Sequence, residues 1–133
     1  MPHTLINEGV PQRAAEQGNA YPIDHTVLDR LLCGDQEAIG VVLRQFRSSC
    51  PGDASALGAA LSRNTRKDAQ RWAHRLKGAC QMVGAAQLAE ACDRAEVAVR
   101  AADAKLAAAA VSAIDREVAR ITNYLDEWMK ANP

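Results

Sequence analysis

The sequence predicts an all-α domain, an antiparallel up-and-down four-helix bundle with a short additional helix at its N-terminal side. Apolar residues make up 48% of the chain but aromatic residues only 4%, a composition that suits closely packed helices better than a sheet. Apolar residues recur with helical spacing, whereas no run alternates as a half-buried strand would. The predicted connections are short, and short connections join antiparallel neighbours.

Residues 1–22 mix proline, glycine, asparagine, glutamine and charged residues without any period, so we expect a flexible tail or linker there. Such a leader is either a linker from an upstream domain or the start of a free-standing protein, and the sequence leaves both open. The bundle is expected over residues 23–130, a length that suits a single core.

The first two helices are predicted from their capping residues. Asp24 is expected to cap a short helix that ends at Gly34, and Asp35 to cap the second helix. The stretch "SSCPGD", residues 48–53, is expected to break or bend this second helix before it ends near Asn64, because proline lacks a backbone donor. The apolar positions of the two helices are Val27, Leu28, Leu31, Leu32, Ile39, Val42, Leu43, Phe46, Leu57, Ala60 and Leu61.

Three more helices complete the predicted bundle. The third runs from about residue 65 to 82 and the fourth from about 86 to 100, with Gly84 as the left-handed residue between them. A turn at Ala102 and Asp103 precedes the last and longest helix. Its apolar face consists of Leu106, Ala110, Ile114, Val118, Ile121, Leu125 and Trp128.

Composition disfavours several classes of function. Sixteen basic residues balance sixteen acidic ones, and no stacking aromatics accompany the basic residues, so nucleic-acid binding fits poorly. Three histidines without a Glu-x-x-His pair do not suit a haem or di-iron bundle.

The chain shows neither a secretory signal nor an apolar run long enough to span a bilayer, so a cytoplasmic monomer is expected. Reduced thiols that pack as small apolar groups are expected at Cys33, Cys50, Cys80 and Cys92.

The third helix contains "RWAHRLKGACQMVG", residues 71–84, in which His74 and Gly78 are both mediocre helix formers. At about 100° per residue, His74 faces away from the predicted core stripe. That stripe consists of Ala69, Trp72, Ala73, Leu76, Ala79, Cys80 and Val83. A largely basic strip surrounds the histidine, and it consists of Lys67, Gln70, Arg71, Lys77, Gly78 and Gln81. Because Gly78 is predicted to face solvent, core packing does not explain why this position is glycine. We expect that the missing side chain lets another macromolecule approach the helix closely beside His74.

The strip suits nucleophilic chemistry on phosphorus. A neutral imidazole can attack phosphorus and hold the phosphoryl group as phosphohistidine. Lys77, three residues after His74, would offset the charge of the phosphoryl oxygens. If the distal ring nitrogen attacks, the other ring N–H needs an acceptor, and Glu96 on the fourth helix is a candidate. A solvated glutamate is the alternative for that position.

The segment "AHRLKGACQMVGA", residues 73–85, resembles the signature of the histidine-containing phosphotransfer domain, Hpt. The resemblance extends over roughly residues 23–129 and includes "LLCGDQEAIGVVLRQFRSS", "LGAAL" and "LAEACDRAEVAVR". It is strongest to the C-terminal Hpt domain of BvgS/EvgS-like hybrid sensor histidine kinases. If the resemblance extends to that context, the chain is the C-terminal segment of such a kinase.

The resemblance implies a role for each residue of the strip. His74 matches the phosphorylated histidine, Lys77 the lysine that stabilises the phosphoryl group, and Gly78 the glycine that leaves room for a receiver domain. Glu96 matches a position that hydrogen-bonds the imidazole, and Gln81 lies on the same face. We expect the basic side chains of this face to meet the acidic pocket of a receiver, and they are Lys67, Arg71, Arg75 and Lys77.

Family members pass phosphoryl groups between receiver aspartates, and the receivers contribute the magnesium ion. They usually lack kinase and phosphatase activity of their own, so neither a cofactor nor autonomous catalysis is expected here. A phosphorelay intermediate is therefore the leading hypothesis for this chain. A helical adaptor that binds receiver or kinase domains without accepting phosphate is the alternative.

Overall fold

The computed structural model describes residues 21–133. Most of the predicted leader lies outside these residues. Five α-helices occupy them, and no strand occurs among them. They are α1 (His25–Leu31), α2 (Gln36–Ser62), α3 (Arg66–Val83), α4 (Ala86–Ala101) and α5 (Ala104–Ala131).

The predicted four-helix bundle is confirmed. Helix α3 packs between α2 and α4, and α5 closes the bundle by packing against both α4 and α2. The short helix α1 lies against α3 and α2. Each of the four long helices therefore contacts its neighbours in the chain, as short connections require.

The predicted caps of the first two helices are present. The Asp24 carboxylate accepts a hydrogen bond from the backbone N–H of Thr26, and the Asp35 carboxylate accepts one from Ala38. These bonds satisfy backbone donors that the first turn of a helix leaves free. One apolar position of α1 is not part of the core, because Leu31 is 58% exposed at the end of this short helix.

Helix α2 continues without interruption through Pro51, so the expectation of a break at residues 48–53 is wrong. Proline there removes the backbone hydrogen bond that would reach the carbonyl of Arg47. The buried face of α2 nevertheless keeps its helical spacing on both sides of the proline. Its members there are Phe46, Cys50, Ala54 and Leu57. Their packing against the rest of the core compensates for the lost bond, as tertiary context often does.

The turn residues follow the prediction at both ends of α4. Gly84 has φ +77°, the left-handed conformation that glycine adopts without strain. Ala102 is also left-handed, with φ +51°, and Asp103 caps α5 by accepting from the N–H groups of Lys105 and Leu106. Leu106 itself is 45% exposed, so its predicted place on the buried face of α5 is wrong. It lies in the first turn of α5, where it lines a groove together with Val97 of α4.

Three of the four cysteines are buried free thiols, as predicted, and they are Cys50, Cys80 and Cys92. Burial is the main cause that raises the pKa of Cys50 to about 12. The pKa of Cys80 is also raised, first by its hydrogen bond with Cys92 and then by burial. Cys50 and Cys80 therefore stay protonated, and all three buried thiols pack as small apolar groups. Cys33 departs from the prediction, because it is exposed in the turn between α1 and α2.

An aromatic cluster fastens the N-terminal side of the domain to α5. His25 is only 9% exposed, and its Nε2 atom shares a hydrogen bond with the Tyr124 hydroxyl. The His25 ring stacks on Trp128, and the Tyr21 ring packs against Tyr124. A second link joins α2 to α5, where the Arg47 guanidinium donates two hydrogen bonds to the Asp126 carboxylate.

Candidate functional site

His74 lies in the middle of α3, on the side that faces away from the core. The predicted strip around it is present. Its exposed members are Lys67, Gln70, Arg71, Gly78 and Gln81, whereas Lys77 is half-buried. On the opposite side of α3, Ala69, Ala73, Leu76, Cys80 and Val83 are buried. Trp72 and Ala79, which were also predicted for the core stripe, are half-buried at its edge.

Gly78 has open space beside it. Apart from the backbone of its own helix, a Cβ atom built at this position would meet no atom of residues 21–133 within 4 Å, and the residue is exposed. A glycine inside a helix costs stability relative to alanine. Because no packing contact within the described part of the chain requires glycine here, its small size matters only for what approaches from outside.

Lys77 forms an ion pair that the sequence does not reveal. Its Nζ atom lies 2.6 Å from Oδ1 of Asp93 on α4. This hydrogen bond is the largest cause that raises the pKa of Lys77, and the charges of Asp93 and then Glu96 add to it. In the resting protein, the ammonium group predicted to meet a phosphoryl group is therefore held by a carboxylate of the neighbouring helix.

Helical spacing alone predicts that Asp93 is an ordinary solvent-facing residue of α4. The signal that points to it is its spacing, three residues before Glu96, which places both carboxylates toward the same side of that helix. Which of the two would meet Lys77 depends on how α3 and α4 are rotated about their axes. Helical spacing within one element does not contain that information.

Glu96 is half-buried, and its Oε1 atom is buried without a hydrogen-bond partner among residues 21–133. The predicted hydrogen bond between Glu96 and the imidazole is not formed in this structure. The two groups occupy different environments, because His74 is exposed whereas this carboxylate oxygen is shielded from solvent. A buried acceptor without a donor is costly, so this oxygen is available to a donor that approaches it.

Two other basic residues of the face, Arg71 and Arg75, make contacts along α3. Arg71 pairs with Asp68 at 3.1 Å, and both side chains are largely exposed. The Arg75 guanidinium lies 5.3 Å from the centre of the Trp72 ring, within the range of a cation–π contact. Exposed contacts of this kind are weak, so both arginines can reorient toward another molecule.

The His74 side chain is exposed on the outer face of α3. Two grooves of the domain lie elsewhere: one of about 430 Å³ surrounds the turns next to Thr65 and Asp103, and one of about 420 Å³ lies between α4 and α5. His74 lines neither groove. No group of three or more histidine, cysteine, aspartate or glutamate side chains within residues 21–133 is arranged to hold a metal ion. Small-molecule sites are usually concave, whereas an exposed nucleophile outside both grooves suits a macromolecular partner.

The family model of the Hpt domain matches residues 41–124, more than half of the chain. The chain therefore belongs to the Hpt family, whose members carry phosphoryl groups on a histidine in two-component phosphorelays. Hpt domains exchange these groups with receiver domains and kinases. The matched range contains the whole of α3 and α4, and with them the strip around His74.

The fold is also found in a solved structure. The chain is similar to histidine-containing phosphotransfer protein B from Pseudomonas aeruginosa PAO1, with a TM-score of 0.74 and 24% sequence identity. The match covers 86% of this chain and 97% of that chain, so the likeness of fold concerns the entire bundle. A search of curated proteins finds no match. In the described part of the chain, no helix has both the length and the apolar character needed to cross a membrane.

Proposed function

We propose that this protein is a phosphorelay intermediate that takes a phosphoryl group from the aspartyl phosphate of one receiver domain and passes it to the aspartate of another. The observation that carries this proposal is the exposed imidazole of His74 beside the bare backbone of Gly78 on the outer face of α3. A receiver buries its aspartate in a pocket, so the imidazole must project from a surface that a second protein can approach closely.

The transfer is a substitution at phosphorus. The lone pair of the distal ring nitrogen of His74 forms the N–P bond, while the P–O bond to the aspartate breaks and its electron pair returns to the carboxylate. The proton on the other ring nitrogen stays in place during this step. Transfer to the next receiver is the same substitution in reverse, with an aspartate oxygen attacking and the imidazole leaving.

Two side chains assist the imidazole in this proposal. Glu96 accepts a hydrogen bond from the ring N–H that is not phosphorylated, which selects the tautomer whose distal nitrogen is free to attack. Its unpartnered Oε1 atom supports this assignment. Lys77 offsets the negative charge of the phosphoryl oxygens. The receiver supplies the magnesium ion that neutralises the remaining charge, so the chain acts as a carrier without kinase or phosphatase activity of its own.

The face around His74 is the proposed docking surface for receivers. Its basic side chains complement an acidic receiver pocket and raise the rate of association, and they are Lys67, Arg71 and Arg75. Gln81, one turn beyond Lys77, extends the same surface toward the end of α3. We propose that the protein performs this transfer as a cytoplasmic monomer.

The test is to incubate the protein with a phosphorylated receiver and to measure label that is stable to alkali and labile to acid, the signature of a phosphohistidine. Wild-type protein is expected to take up label, whereas His74→Gln is expected to take up none. Equal labelling of the two proteins would contradict the proposal. Binding of the receiver without any transfer of label would instead identify the protein as an adaptor.

A further inference from the structure

We infer that Asp93 is a positioning residue that holds Lys77 in the resting protein and competes with the phosphoryl group on His74 for the same ammonium. Phosphorylation then moves Lys77 from Asp93 to the phosphoryl oxygens. This inference rests on the proposed function, because it requires a phosphoryl group at His74.

The competition requires that Lys77 leave Asp93 in order to reach a phosphoryl group on His74. Its Nζ atom is 2.6 Å from Asp93 across the seam between α3 and α4. His74 lies three residues before Lys77 on the same helix, so the two side chains are neighbours on one face. The flexible stem of lysine can therefore reach either the carboxylate on α4 or a phosphoryl group on the imidazole.

Charge decides which partner is preferred in each state. A phosphoryl group carries close to two negative charges at neutral pH, whereas Asp93 carries one. The ion pair is also accessible to water, because 52% of the Asp93 side chain and 29% of the Lys77 side chain are exposed. Solvent screening keeps such a pair weak, so its exchange for a phosphoryl contact is inexpensive and reversible.

Because the ion pair between Lys77 and Asp93 breaks and forms again, it shifts the equilibrium of phosphoryl transfer. Each phosphorylation of His74 must displace Asp93 from Lys77, and each transfer away from His74 lets the pair form again. Asp93 therefore lowers the equilibrium occupancy of phosphohistidine and favours release of the phosphoryl group to the next aspartate. It would act through Lys77 and would not touch the reacting atoms.

The experiment measures the equilibrium constant for phosphoryl transfer between a receiver and the intact protein. Asp93→Asn is expected to raise it toward phosphohistidine by about two- to fivefold, the range that corresponds to an exposed ion pair. The equilibrium constant depends only on the free species, so altered docking with the receiver does not change it.

Two controls separate this role from a general effect of charge. Asp68→Asn removes the same charge from a carboxylate that is equally exposed, at 51%, and paired with Arg71 on the same helix, and it is expected to leave the constant unchanged. In a Lys77→Gln background, Asp93→Asn is expected to have no effect. An equal rise with Asp68→Asn, or in the Lys77→Gln background, would overturn the inference.

A second measurement does not need phosphorylation. Nitrogen-15 NMR of the Lys77 ammonium is expected to show a lower pKa in Asp93→Asn than in wild type, because the main cause that raises it is removed. An unchanged Lys77 titration, or an unchanged transfer constant in a protein that does label at His74, contradicts the role of Asp93 alone. Absence of label on wild-type His74 contradicts the proposed function instead, while the NMR result still reports on the ion pair.

Discussion

The backbone N–H of Asp24 donates a hydrogen bond to the carbonyl oxygen of Gly84 at 2.8 Å. This bond fastens the residue that caps α1 to the turn between α3 and α4. The approach is close because position 84 has no side chain: a Cβ atom there would overlap the backbone oxygen of Asp24 and lie 3.0 Å from its nitrogen. The turn at the end of α3 and the placement of the residue that caps α1 therefore both depend on Gly84.

Gly84→Ala is expected to destabilise the domain by at least about 2 kcal/mol. The left-handed φ of +77° costs an alanine roughly 1–2 kcal/mol, and the overlap with Asp24 adds to this. Gly34→Ala is the matched control, because Gly34 has φ +75° but meets no atom closer than 3.7 Å. Urea unfolding should therefore show a clearly larger loss at position 84 than at position 34, and equal losses would contradict the importance of the contact with Asp24.

Acidification is expected to destabilise the domain through His25. Burial lowers its pKa in the folded state below the ordinary value of 6.5, against a smaller opposing effect of Asp24. As the pH falls through about 6.5, the unfolded chain binds a proton at this residue more readily than the folded chain does. The free energy of unfolding should therefore decrease from pH 7.5 to pH 5.5 in urea titrations.

The change in the free energy of unfolding with pH, and not its value at one pH, shows whether His25 is the titrating group. His25→Phe removes the titrating group but also the hydrogen bond to Tyr124, so the variant is expected to be less stable and to depend less on pH. A His25→Phe variant with the wild-type dependence on pH would show that another group is responsible.

The sequence predicts local features of this domain well and contacts between helices poorly. The caps at Asp24 and Asp35 and the left-handed Gly84 follow from local chemistry, and the structure confirms them. Pro51 leads to the wrong prediction of a break in α2, because the packing of a continuous buried face outweighs the local effect of a proline. The pair between Lys77 and Asp93 depends on the relative rotation of two helices, which no spacing within one helix determines.

Glu96 is expected to control the tautomer of the His74 ring. Glu96→Gln keeps an acceptor oxygen and should retain most of the transfer rate, whereas Glu96→Ala removes the acceptor and should slow transfer. Nitrogen-15 NMR of the imidazole measures the cause directly, because the fraction with the proton on the proximal nitrogen should fall in Glu96→Ala. Identical tautomer populations in wild type and Glu96→Ala would show that this carboxylate does not contact the ring in solution.

Replacement of Gly78 by alanine is expected to raise the stability of the domain and to slow phosphoryl transfer. Because a Cβ atom at position 78 would meet no atom of residues 21–133 within 4 Å apart from the backbone of its own helix, Gly78→Ala should stabilise the folded protein by about 0.5–1 kcal/mol, the usual gain for alanine over glycine inside a helix. The same methyl group would intrude into the interface with a receiver, where overpacking costs roughly 1–3 kcal/mol. Transfer should therefore slow by about tenfold, and Gly78→Gln should slow it further.

Gly52→Ala is the matched control for this effect. Gly52 is also an exposed glycine inside a helix with open space around its Cβ position, but it lies on α2 and is not a member of the strip around His74. Its replacement should raise stability by a similar amount and leave the transfer rate unchanged. Thermal unfolding and receiver-dependent labelling, measured on the same preparations, give both quantities. If Gly78→Ala transfers phosphoryl groups as fast as Gly52→Ala, a receiver does not approach the backbone at position 78, and the docking surface must lie elsewhere on the bundle.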